Sequence, residues 1–162
     1  LNVESQEFVR SKIVRADIKD MPYKIDGWQF NWKNLYKIEG AEIFKLTLLE
    51  SPKVVEGLVM LSLMYGEILY MNNIEVAPHN IGKQGKYDRA AGILIAFGCH
   101  KSFEQGKGNY TGYLTFESKT ELIPLYQKKY GAILAKGHRM FFEPEVGIDL
   151  INKYLEDYGE EI

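Results

Sequence analysis

Residues 73–98 read NIEVAPHNIGKQGKYDRAAGILIAFG. An apolar run stops at Pro78, a polar loop holding Gly82, Lys83, Gly85 and Lys86 follows, and a long apolar helical pattern then begins. This order suits the holding of a phosphate. The first amides of a helix have no partner within the helix, and the helix dipole adds partial positive charge there. A pyrophosphate set against amides 86–92 meets backbone donors, and Lys83, Lys86 and Arg89 can add charge from the rim. No GxxxxGK[ST] loop occurs, which disfavours a nucleoside triphosphatase. Cys99 and His100 do not make a nucleophilic pair, because adjacent helix positions point about 100° apart and Cys99 falls in the apolar pattern. His79, His100 and His138 lack metal-ligand spacing and have no cysteine pair beside them, so no metal is expected.

The elements around that loop must come from 162 residues, a length suited to a single domain over 1–162. A hydrophobic fraction of 46% supplies a substantial core. A formal net charge of −2 argues against a nucleic-acid protein with a wholly basic surface, and it leaves room for a local basic patch. One cysteine rules out an internal disulfide framework and fits a reducing cytoplasm. No apolar run reaches the ~18 residues of a membrane span. The opening LNVESQEFVR lacks the apolar segment of a secretion signal, so no leader is expected.

Periodicity orders the chain. Strands are expected over 8–16, over WQFNWKNLY, where Trp28, Phe30 and Trp32 alternate with polar residues, and over 41–50. The runs 54–66 and 67–77 form a hairpin around Tyr65-Gly66-Glu67. From Asp88 to Gln105 the period becomes helical, with Ala90, Ile93, Leu94 and Phe97 on the buried face. A strand YTGYLTFES, a helix TELIPLYQKKYG ended by Gly131, a strand or bent strand pair AILAKGHRMFFEP, and a last helix EVGIDLINKYLEDYG follow. Two strands joined by a crossover helix are normally parallel neighbours, so a mixed, mostly antiparallel α/β sheet flanked by helices is expected. Trp28, Phe30 and Trp32 are expected in the sheet core, with an acceptor pocket as the other reading.

The strand IEVAP, the loop 79–92, the helix after it and the later ES…LYQKKYGA resemble, in that order, the GNAT superfamily of N-acetyltransferases over roughly residues 41–142. The resemblance implies a parallel strand–helix–strand unit that opens a V-shaped slot for acetyl-coenzyme A, whose pyrophosphate sits in the loop. The family pattern is Gln or Arg, two residues, Gly, one residue, then Gly or Ala. Here it falls on Lys86-Tyr87-Asp88-Arg89-Ala90-Ala91, with Arg89 in the first glycine position. If glycine there only brings the backbone close, Arg89 turns its side chain out to grip an oxygen. If glycine serves a positive φ, Arg89 is strained. Helix-start residues normally have negative φ, so the first reading is the expectation; the bland one is a solvated Arg89 beside a helix capped near Asp88.

The resemblance also implies roles. Ile74 and Val76 offer backbone to the pantetheine arm, and an amide near Val76 faces the thioester oxygen. Lys86, Tyr87, Asp88, Arg89, Ala90, Ala91 and Gly92 surround the pyrophosphate, and Ser118 touches coenzyme A. Glu75 is the candidate base and Tyr126 the candidate acid, with Tyr130 in reserve because YQKKYG carries one residue more than the usual spacing. The implied reaction is direct acetyl transfer from acetyl-coenzyme A to a primary amine on a small molecule or peptide. The strand-rich residues 1–40 suggest an open acceptor side, with a second copy of the chain as the candidate to complete it. The alternative is a GNAT-shaped binding protein that has lost catalysis.

Overall fold

In a computed structural model of the chain, the described residues are 9–81 and 89–155. Seven strands form one sheet in the order β1-β2-β3-β4-β5-β7-β6. They are β1 (Ser11–Arg15), β2 (Ala41–Leu48), β3 (Gly57–Met64), β4 (Ile68–Val76), β5 (Leu114–Glu117), β6 (Ile133–Lys136) and β7 (Arg139–Phe142). Every neighbouring pair is antiparallel except β4 and β5, which are parallel and joined through the helix α2 (Ala90–Gln105). The hairpin between β3 and β4 turns at Tyr65 and Gly66, both with positive φ (55° and 70°). Two successive positive φ values give the twist that matches antiparallel strands.

Three further helices are present among the described residues: α1 (Trp32–Tyr36), α3 (Ile123–Tyr130) and α4 (Pro144–Tyr154). The strand expected over WQFNWKNLY is instead a coil that enters α1. Asn31 caps that helix, its side-chain oxygen accepting from the Asn34 amide at 3.2 Å. A cap residue followed by one helical turn mimics alternation over so short a window. The strand expected from Tyr110 begins only at Leu114, after a 3₁₀ turn at Gly108–Tyr110 and a positive φ of 87° at Gly112.

The core lies in two layers, one on each side of the sheet. On one side Leu69, Met71, Leu114, Phe116 and Phe142 meet Leu94, Ile95 and Phe97 of α2 and Leu150 and Tyr154 of α4. On the other, Trp28 and Trp32 from the N-terminal segment pack on Ile43, Leu58, Met60 and Ala77. Trp28 and Trp32 are thus core residues, as expected, although not as strand residues.

A bulge decides which face each residue of β4 presents. Leu61 pairs with Met71 and Met60 with Asn73, so Asn72 is an extra residue. Side chains alternate along a strand, and one inserted residue reverses the alternation beyond it. Before the bulge Leu69 and Met71 face α2; after it Ile74 and Val76 do. Glu75 is thereby turned to the side of Trp32. Ser62 donates to the Asn72 side-chain oxygen at 2.7 Å and holds the bulge.

Gly92 shows how closely α2 and α4 approach. A Cβ added there meets the Tyr154 ring at 2.4 Å. Gly92→Ala should therefore lower stability by about 1–3 kcal/mol through overpacking. An unchanged midpoint in urea denaturation would mean that the Tyr154 ring swings aside freely. Among the described residues no helix is long and apolar enough to cross a membrane.

Candidate functional site

The parallel pairing of β4 and β5 lasts three residue pairs, Leu69 with Leu114, Tyr70 with Thr115 and Met71 with Phe116. Past the bulge β4 stays paired to β3 and parts from β5. The gap is a cavity of about 470 Å³, walled by residues 71–76 of β4 and by Phe116 and Glu117 of β5, with Ser118 beyond. Ala91 and Ile95 of α2 form its floor, and Leu122, Leu125, Tyr126 and Tyr130 close one side. Gln29 and Phe30 reach it from the N-terminal segment.

Glu75 is buried, and three N–H groups donate to its carboxylate. The Gln29 amide donates to Oε2 at 2.5 Å, the Phe30 amide to Oε1 at 3.2 Å and the Trp32 indole to Oε1 at 2.8 Å. A carboxylate offers about four lone-pair directions, so roughly one is left. Glu75 thus fastens residues 29–32, of which Gln29 and Phe30 line the cavity. Nothing in sequence spacing signals a contact across 46 positions; the match of a buried carboxylate to three donors exists only after folding.

Tyr126 sits half-buried against Phe116, their ring centroids 4.8 Å apart. No described residue hydrogen-bonds its hydroxyl. Burial pushes its phenol above the ordinary value. Tyr130 lies deeper, between Tyr126 and Tyr154, and its phenol is also raised, first by burial and then by those two neighbours. An uncharged phenol is the form favoured by an apolar setting, and it keeps its proton at neutral pH.

Ser118 is buried at the cavity edge, its hydroxyl donating to the Lys119 carbonyl at 2.9 Å. The backbone here is pinned to the β6–β7 turn, since the Ser118 amide donates to the His138 carbonyl at 2.9 Å.

Arg89 departs from expectation. Its φ is +72°, in the left-handed region. The position keeps the backbone geometry that glycine would take freely, and an arginine there carries strain of order 1–2 kcal/mol. Its guanidinium does not turn into the cavity; it donates to the Lys153 carbonyl at 2.6 Å and lies 4.9 Å over the Tyr154 ring. A cation at the C-terminal end of α4 opposes that helix's partial negative charge, which offsets part of the strain. Gly92 likewise serves packing against Tyr154.

Ile74, Glu75, Val76, Ala91, Ser118 and Tyr126 thus come together around one cavity, whereas Arg89, Ala90 and Gly92 do not line it. Lys86, Tyr87 and Asp88, like Lys83, lie outside the described residues. Of the three aromatics in the first segment, Phe30 lines the cavity. Asn72, Asn73 and Asn80 join it without any earlier signal in the sequence. Among the described residues no group of three or more His, Cys, Asp or Glu is placed to hold a metal ion.

The architecture is a mixed sheet whose two parallel strands part beside the first turn of α2. The fold is that of the GNAT N-acetyltransferases. One similar solved structure, described as a KacTA–DNA complex, superposes with a TM-score of 0.63 at 14% identity, covering 89% of this chain and 99% of that one. The AtaTR structure bound with AcCoA gives 0.58 at 13%, covering 88% and 98%. A chimera of the spermidine N-acetyltransferase SpeG from Vibrio cholerae and hSSAT gives 0.58 at 15%, covering 86% and 99%. No protein-family profile matches the chain. No curated protein matches it significantly.

Proposed function

We propose that the chain is an acetyl-coenzyme A-dependent N-acetyltransferase acting on a primary amine. The observation that carries this reading is the parting of β4 and β5 after Met71 and Phe116, with Tyr126, Glu75 and the first turn of α2 all facing or bordering the gap. The donor supplies an acetyl thioester. An extended arm can add to the β4 edge through backbone hydrogen bonds near Ile74 and Val76. The opening amides of α2 would take the pyrophosphate, together with the basic loop before them. The positive φ of Arg89 supports this, because it is a backbone that glycine, the residue of the family pattern at this position, takes freely.

In the transfer, the amine nitrogen bonds the acetyl carbon and the carbon–sulfur bond breaks. A backbone amide near Val76 stabilises the oxyanion between those events. Tyr126 gives its proton to the departing thiolate, and burial suits it to hold that proton until then. Glu75 has two duties: it positions Gln29 and Phe30, and through a water at its remaining lone pair it receives the proton lost by the amine. The acceptor is a small molecule or an amine on a peptide, and Gln29, Phe30, Asn72 and Asn73 form the walls it meets. The charge and the single buried cysteine fit work in a cytoplasm.

Thermal melting with acetyl-coenzyme A tests the donor site directly. At one hundred times its dissociation constant the ligand should add about 2.7 kcal/mol of stability. A melting curve that does not move counts against the enzyme and against a binding relic alike. A shift with no thiol release across an amine panel favours the relic.

A further inference from the structure

Beside the cavity between β4 and β5 lies a second, open lobe of about 580 Å³. The two share Glu117, Ser118 and Lys119, and the lobe adds Lys136, His138 and Arg139 from the β6–β7 hairpin. Three cationic side chains therefore face one carboxylate, in a chain whose net charge is −2. The carboxylate of Glu117 is already paired with Arg139 at 3.3 Å, a single contact with more than half of the Glu117 side chain exposed. Lys119 and Lys136 have no acidic partner among the described residues. The lobe is also held in shape. The His138 ring nitrogen Nδ1 donates to the Ser118 carbonyl at 3.0 Å while the Ser118 amide donates back to the His138 carbonyl at 2.9 Å. This reciprocal clamp fixes the hairpin tip, and with it Lys136, beside the end of β5.

We propose that this lobe is the anion-recognising half of the acceptor site, so that the acceptor is a primary amine that also carries a carboxylate or phosphate. The inference rests on the transferase reading above. The amine lies toward Glu75 and Tyr126 in the main cavity, and the anionic group lies in the lobe against Lys119, Lys136 and Arg139. Clustered cations in a concave setting raise the local concentration of an anionic substrate and repel a polycation. Polyamines are therefore poor acceptors, however well their amines would fit.

The experiment compares matched amines that differ in the anionic group: tyramine with tyrosine, and ethanolamine with O-phosphoethanolamine, with spermidine as the polycation. Thiol release gives kcat/KM for each, in the wild type and in Lys136→Glu. The wild type should favour the anionic member of at least one pair by about tenfold or more, and the pair that responds tells carboxylate from phosphate. Lys136→Glu should bring that ratio towards one, and raised salt should do the same in the wild type. Equal or better use of spermidine, or a ratio untouched by Lys136→Glu, overturns the inference while leaving the transferase intact. If none of these amines is turned over and acetyl-coenzyme A leaves the melting curve unmoved, the transferase reading is what fails. The lobe is then judged by heteronuclear NMR titration with inorganic phosphate. Shifts at 117–119 and 136–139 that vanish in Lys119→Glu/Lys136→Glu support an anion site, and flat spectra sink it.

Discussion

Tyr126→Phe is expected to lower kcat by about 100-fold, the lower part of the range for a positioned general acid. The KM for acetyl-coenzyme A should stay close to the wild-type value, because the ring and its contact with Phe116 are kept. Steady-state kinetics with a melting curve on the same sample make the measurement. The pH dependence follows from the direction of the shift. Burial raises the phenol above its usual value near 10, so the protonated form fills the whole neutral range. Activity should not fall below about pH 10 through loss of this proton, and any basic limb below that belongs to another group. Tyr130→Phe is the control. Tyr130 is buried between Tyr126 and Tyr154, so its loss of one hydroxyl should leave kcat within a few fold. If Tyr130→Phe is the slow variant and Tyr126→Phe is not, the acid is the deeper tyrosine.

Glu75→Ala is expected to cost about 3 kcal/mol or more, because three N–H groups lose their acceptor in a part-buried place. For a domain of this size that lowers Tm by roughly 10 °C. Differential scanning calorimetry reads it. The chain over Gln29–Trp32 should also become more accessible to limited proteolysis, since the carboxylate ties its backbone down alongside the packing of Trp28 and Trp32. Glu75→Gln separates the two duties proposed for this residue. A glutamine keeps one oxygen acceptor and sets an NH₂ group against an amide donor, so stability should recover only in part. If its kcat falls by 100-fold while most of the stability returns, the carboxylate moves a proton as well as anchoring the loop. If kcat merely tracks stability, Glu75 is a positioning residue alone.

The Arg89 position shows how sequence and structure divide the information. Its place in a family pattern is visible in Lys86-Tyr87-Asp88-Arg89-Ala90-Ala91, and so is the conflict between arginine and glycine. The rule that helix starts have negative φ points the wrong way here. Arg89 is the cap, not the first helical residue, and a cap has no fixed helical φ. The side chain that was expected to grip phosphate finds the end of α4, 64 positions away. The misread strand at WQFNWKNLY has a similar origin. Trp28 and Trp32 are buried for tertiary reasons, and their spacing imitates a period of two.

What the sequence alone determined was the order of elements from β2 onward and the succession of β4 and α2. Alternation, helical period, the Tyr65-Gly66 turn and the Gly131 stop are local signals, each set by backbone sterics and by which face can be buried. Only the tertiary structure decided which residues share the cavity. The bulge at Asn72 reverses the faces of β4 and turns Glu75 towards Trp32. The β6–β7 turn brings Lys136 beside Ser118. Both outcomes depend on register and on contacts far apart in the chain, and a one-residue change in register moves every side chain beyond it to the opposite face.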